Sequence, residues 1–273
     1  MAFLTLDGLT IEVRDGTFRA APDDIRDEAR AEDGSWFESE TAAKREWVFQ
    51  TVPLTPANAL AHEGWLNGRG HTLAFDSTKY SSKILGPNAG GTHSLSAVQS
   101  KFGGFSLLVG SGSTIVYNFG SGYSSLWSIS AWKYTSTPAW VHYGLTSAGT
   151  QYKAGAAHTA TGSDSVALWA AMSSGSLTLD GQDQGGVNTA SAFYDHVVVR
   201  PYVMTAAMFA AEAAATSARP GLGKVAAVIG HTSGQTISTN VYPRITDQTY
   251  VQVNIGGTFY PDARVFTVRL KEA

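Results

Sequence analysis

The sequence of 273 residues has no cysteine, which excludes disulfide bonds, thiolate nucleophiles and zinc sites with sulfur ligands. It also has no apolar run near the ~18 residues that a membrane helix needs, so we expect no membrane insertion. The start, Met1 to Leu4, lacks the basic residues and long apolar stretch of a signal peptide, so we expect no signal peptide and synthesis in the cytosol. Since 43% of the residues are apolar and 15% are charged, we expect a soluble globular protein.

Sequence motifs for catalysis and metal binding are also missing. The nucleophile motif Gly-x-Ser-x-Gly does not occur, and the seven histidines never stand at i, i+4 spacing. The segment 72–215 holds five aspartates and one glutamate, and no stretch carries the alternating carboxylates of a glycosidase. We therefore predict a protein that is not an enzyme, with no catalytic residue, no metal site and no cofactor.

The charges are distributed unevenly along the chain. Residues 1–70 contain 13 acidic and 7 basic residues, residues 71–215 contain 6 of each, and residues 216–273 contain 3 acidic and 6 basic residues. The formal charges are therefore −6, 0 and +3, and the total of −3 argues against a nucleic-acid partner. A neutral segment between two complementary ends predicts an outer domain built from residues 1–71 and 216–273, with 72–215 inserted. Three separate domains in a row remain the alternative.

Both ends of the chain have the pattern of short strands. Apolar residues alternate from Phe3 to Val13 and are interrupted by Asp7-Gly8, which predicts two strands joined by a tight turn. A strand around Trp47 should be followed by a helix that begins at Thr55-Pro56 and ends near Asn67, since Thr is a good N-cap and Pro suits the first helical position. Four further strands are predicted at Val225–Ile229, Thr236–Tyr242, Tyr250–Ile255 and Arg264–Leu270.

The segment 193–215 predicts a buried strand followed directly by a helix. Val197 to Val199 is a β-branched run, Pro201 cannot donate to a sheet, and Thr205 is a suitable N-cap for the Ala-rich stretch 206–215. With Phe102–Val109, Trp127–Trp132, Val166–Trp169 and Leu177–Gly181, this order resembles the concanavalin-A-like or laminin-G-like jelly rolls. The resemblance implies a mainly β protein with an antiparallel β-sandwich over 72–215. Calcium occurs in part of this family, and only Asp180 and Asp183 are candidate ligands here.

A second resemblance involves the outer segments. Lys44–Thr51, the turn Gly68-Arg69-Gly70-His71, Phe75-Asp76 and the terminal stretch Arg264–Glu272 are similar to a pattern in bacteriophage tail-associated proteins. This resemblance implies a virion structural protein from the tail or baseplate, with copies of itself and other virion proteins as partners. Capsid decoration and a free carbohydrate-binding lectin remain alternatives.

A glycan-binding platform is the more specific of two interpretations for the aromatic residues of the central segment. Aromatic rings stack on the CH faces of sugars, and a host-surface glycan would be the ligand. The candidates are Trp140, His142, Tyr143 and Tyr152. In the other interpretation, Trp140 and Tyr143 fill the core between two sheets, as we expect for Trp127, Trp132 and Trp169.

The stretch from Asp23 to Glu40 holds eight acidic residues and two arginines. It is either a solvated loop or an arm that contacts a neighbouring subunit. The second hypothesis places the acidic arm on a basic patch of another copy. Its candidate contact residues are Asp23, Asp24, Asp27, Glu28, Arg244, Arg264 and Arg269.

Overall fold

The computed structural model describes residues 3–30, 36–67, 71–73, 93–118, 125–134, 140–158, 170–173, 176–180, 191–216, 224–230 and 236–273. In chain order the first elements are β1 (Phe3–Leu6), β2 (Leu9–Ile11), β3 (Arg19–Arg30), β4 (Trp36–Gln50), α1 (Pro56–Leu66), β5 (His71–Leu73), β6 (His93–Ser96), β7 (Ser106–Val109), β8 (Thr114–Asn118) and β9 (Ser128–Tyr134). They are followed by β10 (Trp140–Thr146), β11 (Gln151–Lys153), β12 (Ala156–His158), β13 (Ala170–Ser173), β14 (Ser176–Asp180), β15 (Ala192–Arg200), α2 (Ala206–Ala213), β16 (Val225–Gly230), β17 (Thr236–Ile255) and β18 (Thr258–Glu272).

The chain divides into two compact units, and the second is inserted in the first. Unit 1 comprises Met1–Gly68 and Arg219–Ala273, and unit 2 comprises Arg69–Ala218. These limits lie three residues from the predicted ones, at 68 instead of 71 and at 219 instead of 216. The protein is mainly β, as predicted, and all of its paired strands in the described residues are antiparallel.

Unit 1 is a sheet with the strand order β2-β1-β16-β17-β18-β4-β3. Two backbone hydrogen bonds join its far sides: Arg14 N donates to Gln50 O (2.8 Å), and Val52 N donates to Glu12 O (3.1 Å). The sheet therefore curls into a barrel from β2 to β4, with β3 outside as a partner of β4. Alternate side chains of its strands are buried, among them Leu4, Leu6, Trp47, Phe49, Val225, Ile229, Val241, Phe266, Val268 and Leu270.

Helix α1 begins as its sequence predicts. The Thr55 hydroxyl accepts a hydrogen bond from Asn58 N at 3.3 Å, Pro56 occupies the first turn, and Asn67 is the C-cap. The helix packs against β17 and β18 and buries Trp65.

Two hairpins of unit 1 extend from opposite ends of the barrel. Strand β18 pairs with β4 only from Thr267↔Gln50 to Lys271↔Glu46. The remainder of the β3–β4 hairpin lies beyond the C-terminal end of β18, whereas the tip of the β17–β18 hairpin, Gly256-Gly257, lies past the other end. Of the alternatives for the acidic run, the structure therefore shows an arm and not a loop: the run belongs to β3 and β4, on either side of residues 31–35, which are outside the described ones.

The four strands predicted near the C-terminus are three in the structure, because β17 runs without a break through Pro243. Strand β16 begins at Val225, opposite Val241, so within the described residues it provides no partner for β17 at Pro243, and the strand tolerates the missing donor there.

Unit 2 is an antiparallel β-sandwich. The larger sheet has the order β12-β11-β10-β9-β15-β7-β6, with β5 beside β15, and the smaller has the order β13-β14-β8. Their facing residues form one core, which includes Leu107, Val109, Ile115, Ile129, Tyr143, Leu177, Leu179, Tyr194, Val197 and Val199. This architecture is compatible with the jelly roll that the sequence implied. The predicted strand Val166–Trp169 and the pair Phe75-Asp76 lie outside the described residues.

The predicted strand-to-helix transition in unit 2 is confirmed. Strand β15 buries Val197 to Val199 and ends at Arg200, and the Thr205 hydroxyl accepts a hydrogen bond from Met208 N at 3.3 Å at the start of α2.

Candidate functional site

The outer surface of the barrel in unit 1 carries a basic face. Trp47 and Phe49 point inward, so the alternating residues of β4, Glu46 and Val48, point outward. Residues paired directly across strands share a face of the sheet, and the register continues this outer face onto β3, β17 and β18. One row is Arg244, Arg269, Val48 and Arg19, and the next is Tyr242, Lys271 and Glu46.

Lys224 adds to this face, because its Nζ lies 5.5 Å from the ring centre of the exposed Tyr242. We define the basic face as Arg19, Lys224, Arg244, Arg269 and Lys271. With Glu46, the five cations and one carboxylate have a formal charge of +4.

Arg244 and Arg269 lie directly opposite each other on neighbouring strands. Like charges in this arrangement destabilise a sheet. Glu46 Oε1 lies 3.2 Å from Arg269 Nε and offsets part of this repulsion, although the Arg269 side chain remains 52% exposed. The pair therefore favours an anionic group at this surface.

The predicted basic patch of Arg244, Arg264 and Arg269 is corrected by the structure. Arg264 is five residues before Arg269 on the same strand and so lies on its opposite face. There its guanidinium lies 3.9 Å from Glu63 of α1 and 5.3 Å from the ring centre of Tyr250. Sequence reasoning also missed Arg19, Lys224 and Lys271, because only the register of non-consecutive strands brings them beside Arg244.

The predicted acidic contact residues Asp23, Asp24, Asp27 and Glu28 all lie on β3, paired with β4. We define the acidic arm as residues 22–30 and 36–44, the part of this hairpin beyond β18. These residues include six acidic and three basic side chains, a formal charge of −3.

In unit 2, the glycan platform predicted from four residues does not form. Tyr143 is 1% exposed and lies in the core between the sheets. His142 is 2% exposed on the opposite face of β10, where its ring centre lies 5.2 Å from that of Trp132. Tyr152 is covered by α2, with its ring stacked on Phe209 at 4.1 Å. Three of the four side chains are therefore unavailable to a sugar, and burial in the sandwich explains each of them.

Trp140 belongs to a different aromatic group, which the sequence did not indicate. Its ring centre lies 5.5 Å from that of Tyr134, which in turn lies 6.1 Å from that of Phe193. The register places the three residues in one row across β10, β9 and β15, and all are partly exposed. We call them the aromatic row.

A buried polar cluster attaches α2 to the larger sheet. Arg200, 1% exposed, forms an ion pair with Glu212 of α2 and donates a hydrogen bond to Ser130 Oγ at 3.0 Å. Glu212 Oε2 also lies 3.5 Å from His142 Nε2. Burial opposes the charged form of Glu212, but the positive charge of Arg200 and hydrogen bonds from His142 and Ser130 outweigh it, so the pKa of Glu212 is well below its ordinary value.

No group of three or more metal-ligating residues occurs among the residues that the structure describes. Of the two candidate calcium ligands, Asp180 ends β14, and Asp183 lies outside the described part of the chain. Within the same residues, no helix is long and apolar enough to cross a membrane.

The fold thus defines a two-unit antiparallel β protein with a sandwich inserted in a barrel. No model of a known protein family matches its sequence, and no curated protein matches it either.

Proposed function

We propose that this chain is a non-enzymatic structural protein of a tailed bacteriophage virion, a tail or baseplate component. In this proposal, unit 1 self-assembles and unit 2 is displayed as a lectin-like module. Other virion proteins are its further partners, and capsid decoration is the nearest alternative position in the particle.

One observation carries the assembly part of this proposal: two long hairpins extend from opposite ends of the barrel in unit 1. Strands that extend beyond their own sheet have backbone and side-chain groups available to another chain. On the β17–β18 hairpin, Tyr250 and Phe259 are 58% and 59% exposed and provide apolar surface that a partner could cover. The resemblance to tail-associated proteins supplies the virion context.

The test is the solution mass of the full chain, measured by light scattering over a wide concentration range. A discrete oligomer such as a trimer or hexamer is expected. A strict monomer at every concentration would contradict self-assembly through unit 1.

A free carbohydrate-binding lectin is the second candidate, and the aromatic row in unit 2 favours it. Three partly exposed rings in one row provide apolar faces against which a sugar can pack. Replacement of both Trp140 and Phe193 by Ala should then abolish retention on a printed array of bacterial and mammalian glycans. The matched control is Val98→Ala, which removes an exposed apolar side chain of unit 2 outside the row. Equal retention by all variants would count against this candidate.

A further inference from the structure

We propose that the acidic arm of one copy binds the basic face of a second copy, an inference that rests on the self-assembly proposed above. The site is the outer surface of the barrel around Arg244 and Arg269. The partner is a β-hairpin with a negative formal charge.

The charge of the basic face supports this pairing. Its cations come from four separate parts of the sequence, and the register aligns them on neighbouring strands. Arg244 and Arg269 face each other, and Glu46 Oε1 lies 3.2 Å from Arg269 Nε. An anionic partner would relieve the repulsion between the two guanidinium groups.

The acidic arm has the matching properties. Its formal charge of −3 is opposite in sign to the +4 of the basic face. The arm extends past the end of β18, and in the described residues the β3 and β4 backbone there pairs within the hairpin. An extended segment of this kind can lie along the surface of a neighbouring copy, and the opposite charges would direct its approach.

The contact joins two different surfaces, so it is heterologous. Each copy contributes an arm to one neighbour and a basic face to another, and such contacts produce a closed ring or an open array. A variant with a defective arm and a variant with a defective basic face should therefore each fail to assemble alone. The two variants should bind each other when they are mixed.

The first experiment removes charges from the acidic arm or from the basic face of the full chain. The arm variant carries Asp23→Asn, Asp24→Asn, Asp27→Asn and Glu28→Gln, and the face variant carries Arg244→Gln and Arg269→Gln. Ala206→Glu with Ala207→Glu is the control for the face variant, because it makes the same change of two negative charges at exposed positions of α2 in unit 2. We expect the apparent dissociation constant of the oligomer, measured by light scattering, to rise about tenfold or more in the arm and face variants and to stay unchanged in the control. Circular dichroism verifies that each variant is folded.

The second experiment exchanges the charges. The substitutions Asp23→Lys, Asp24→Lys, Asp27→Lys and Glu28→Lys together should prevent assembly. The pair Arg244→Glu and Arg269→Glu should also prevent it, and the two sets combined in one chain should restore it. An equimolar mixture of the two neutralised variants should give dimers, since one intact arm and one intact face remain.

The outcomes separate this inference from the proposed function. A wild-type oligomer that none of these variants weakens would leave self-assembly standing and overturn the arm-to-face contact. A wild-type monomer would overturn both. Binding of a fluorescent DNA duplex that is lost in the face variant, with the oligomer unchanged, would assign the basic face to nucleic acid and overturn the inference.

Discussion

Arg200 at the end of β15 and Glu212 in α2 form an ion pair that fixes the helix to the sheet of unit 2. The Arg200 side chain is 1% exposed and that of Glu212 is 14% exposed. Both residues belong to the segment that the sequence identified as strand, proline, cap and helix, but the sequence pattern gave no indication that they interact. Their pairing depends on the direction in which α2 returns over β9 and β10.

Replacement of Glu212 by Gln should destabilise unit 2 by about 3 kcal/mol, because the buried guanidinium loses its carboxylate. The folded-state pKa of Glu212 is below the ordinary value of 4.5, so the ionised group stabilises the fold above about pH 4.5. This contribution decreases as the pH falls below that value. Chemical denaturation at a series of pH values, followed by hydrogen exchange of peptides from unit 2, measures both effects.

The matched control is Glu272→Gln, which removes the carboxylate from the ion pair with Arg45. The Arg45 side chain is 50% exposed, and an exposed pair of this kind contributes less than about 1 kcal/mol. If Glu212→Gln retains the full acid sensitivity of the wild type, Glu212 is not the titrating group.

Gly144→Ala should also weaken the packing of α2 on β10. A Cβ atom at position 144 would overlap the ring of Phe209, which is fully buried and stacked on Tyr152. Overpacking of a buried site costs about 1–3 kcal/mol. Gly104→Ala is the control, because a Cβ atom there would meet no neighbour within 4 Å. Thermal unfolding of the full chain should show a lower transition for unit 2 only in Gly144→Ala, and equal stability of the two variants would contradict the packing described here.

The two helix starts could be predicted from the sequence because capping is a local interaction. Thr55 and Thr205 each accept a hydrogen bond from the amide three residues later, so the information lies within one turn. The tight turn at Asp7-Gly8 is local in the same way, and both residues have positive φ angles of 48° and 79°.

Features that depend on pairing between distant strands could not be predicted in this way. The continuity of β17 through Pro243 depends on where β16 begins, and the basic face depends on the order β17-β18-β4-β3. The burial of Tyr143 likewise depends on packing between strands that are distant in the sequence. A strand places alternate residues on opposite faces, but the sequence alone did not show which face of β10 the smaller sheet covers.

The division into units predicts that unit 1 folds without the insert. The pairs β1–β16 and β4–β18 join the two ends of the chain, so residues 1–68 should be unfolded when expressed alone. A chain in which a flexible Gly/Ser linker of about 15 residues replaces unit 2 should keep the barrel. Circular dichroism and amide exchange of β18 measure both outcomes. A folded 1–68 fragment would support three separate domains instead.

Asp195 is the one carboxylate of β15, and its replacement should destabilise unit 2. It is 1% exposed, and its Oδ2 accepts hydrogen bonds from the backbone amides of Lys101 (2.7 Å) and Phe102 (2.9 Å). These bonds hold the 98–103 segment at the bulge of β15, where His196 has a φ of 45°. Asp195→Ala leaves these amides without their acceptor, at a cost of about 1–3 kcal/mol for each buried group.

Asp195→Asn provides the internal comparison, because its amide oxygen can still accept from both amides. Its loss of stability in urea denaturation should therefore be clearly smaller than that of the Ala variant. Faster amide exchange at Lys101 and Phe102 should accompany the loss in Asp195→Ala, since those two donors become free to open. Equal stability of the Asn and Ala variants would mean that the hydrogen bonds from these amides do not hold the segment, and that the charge of Asp195 acts on other groups around β15.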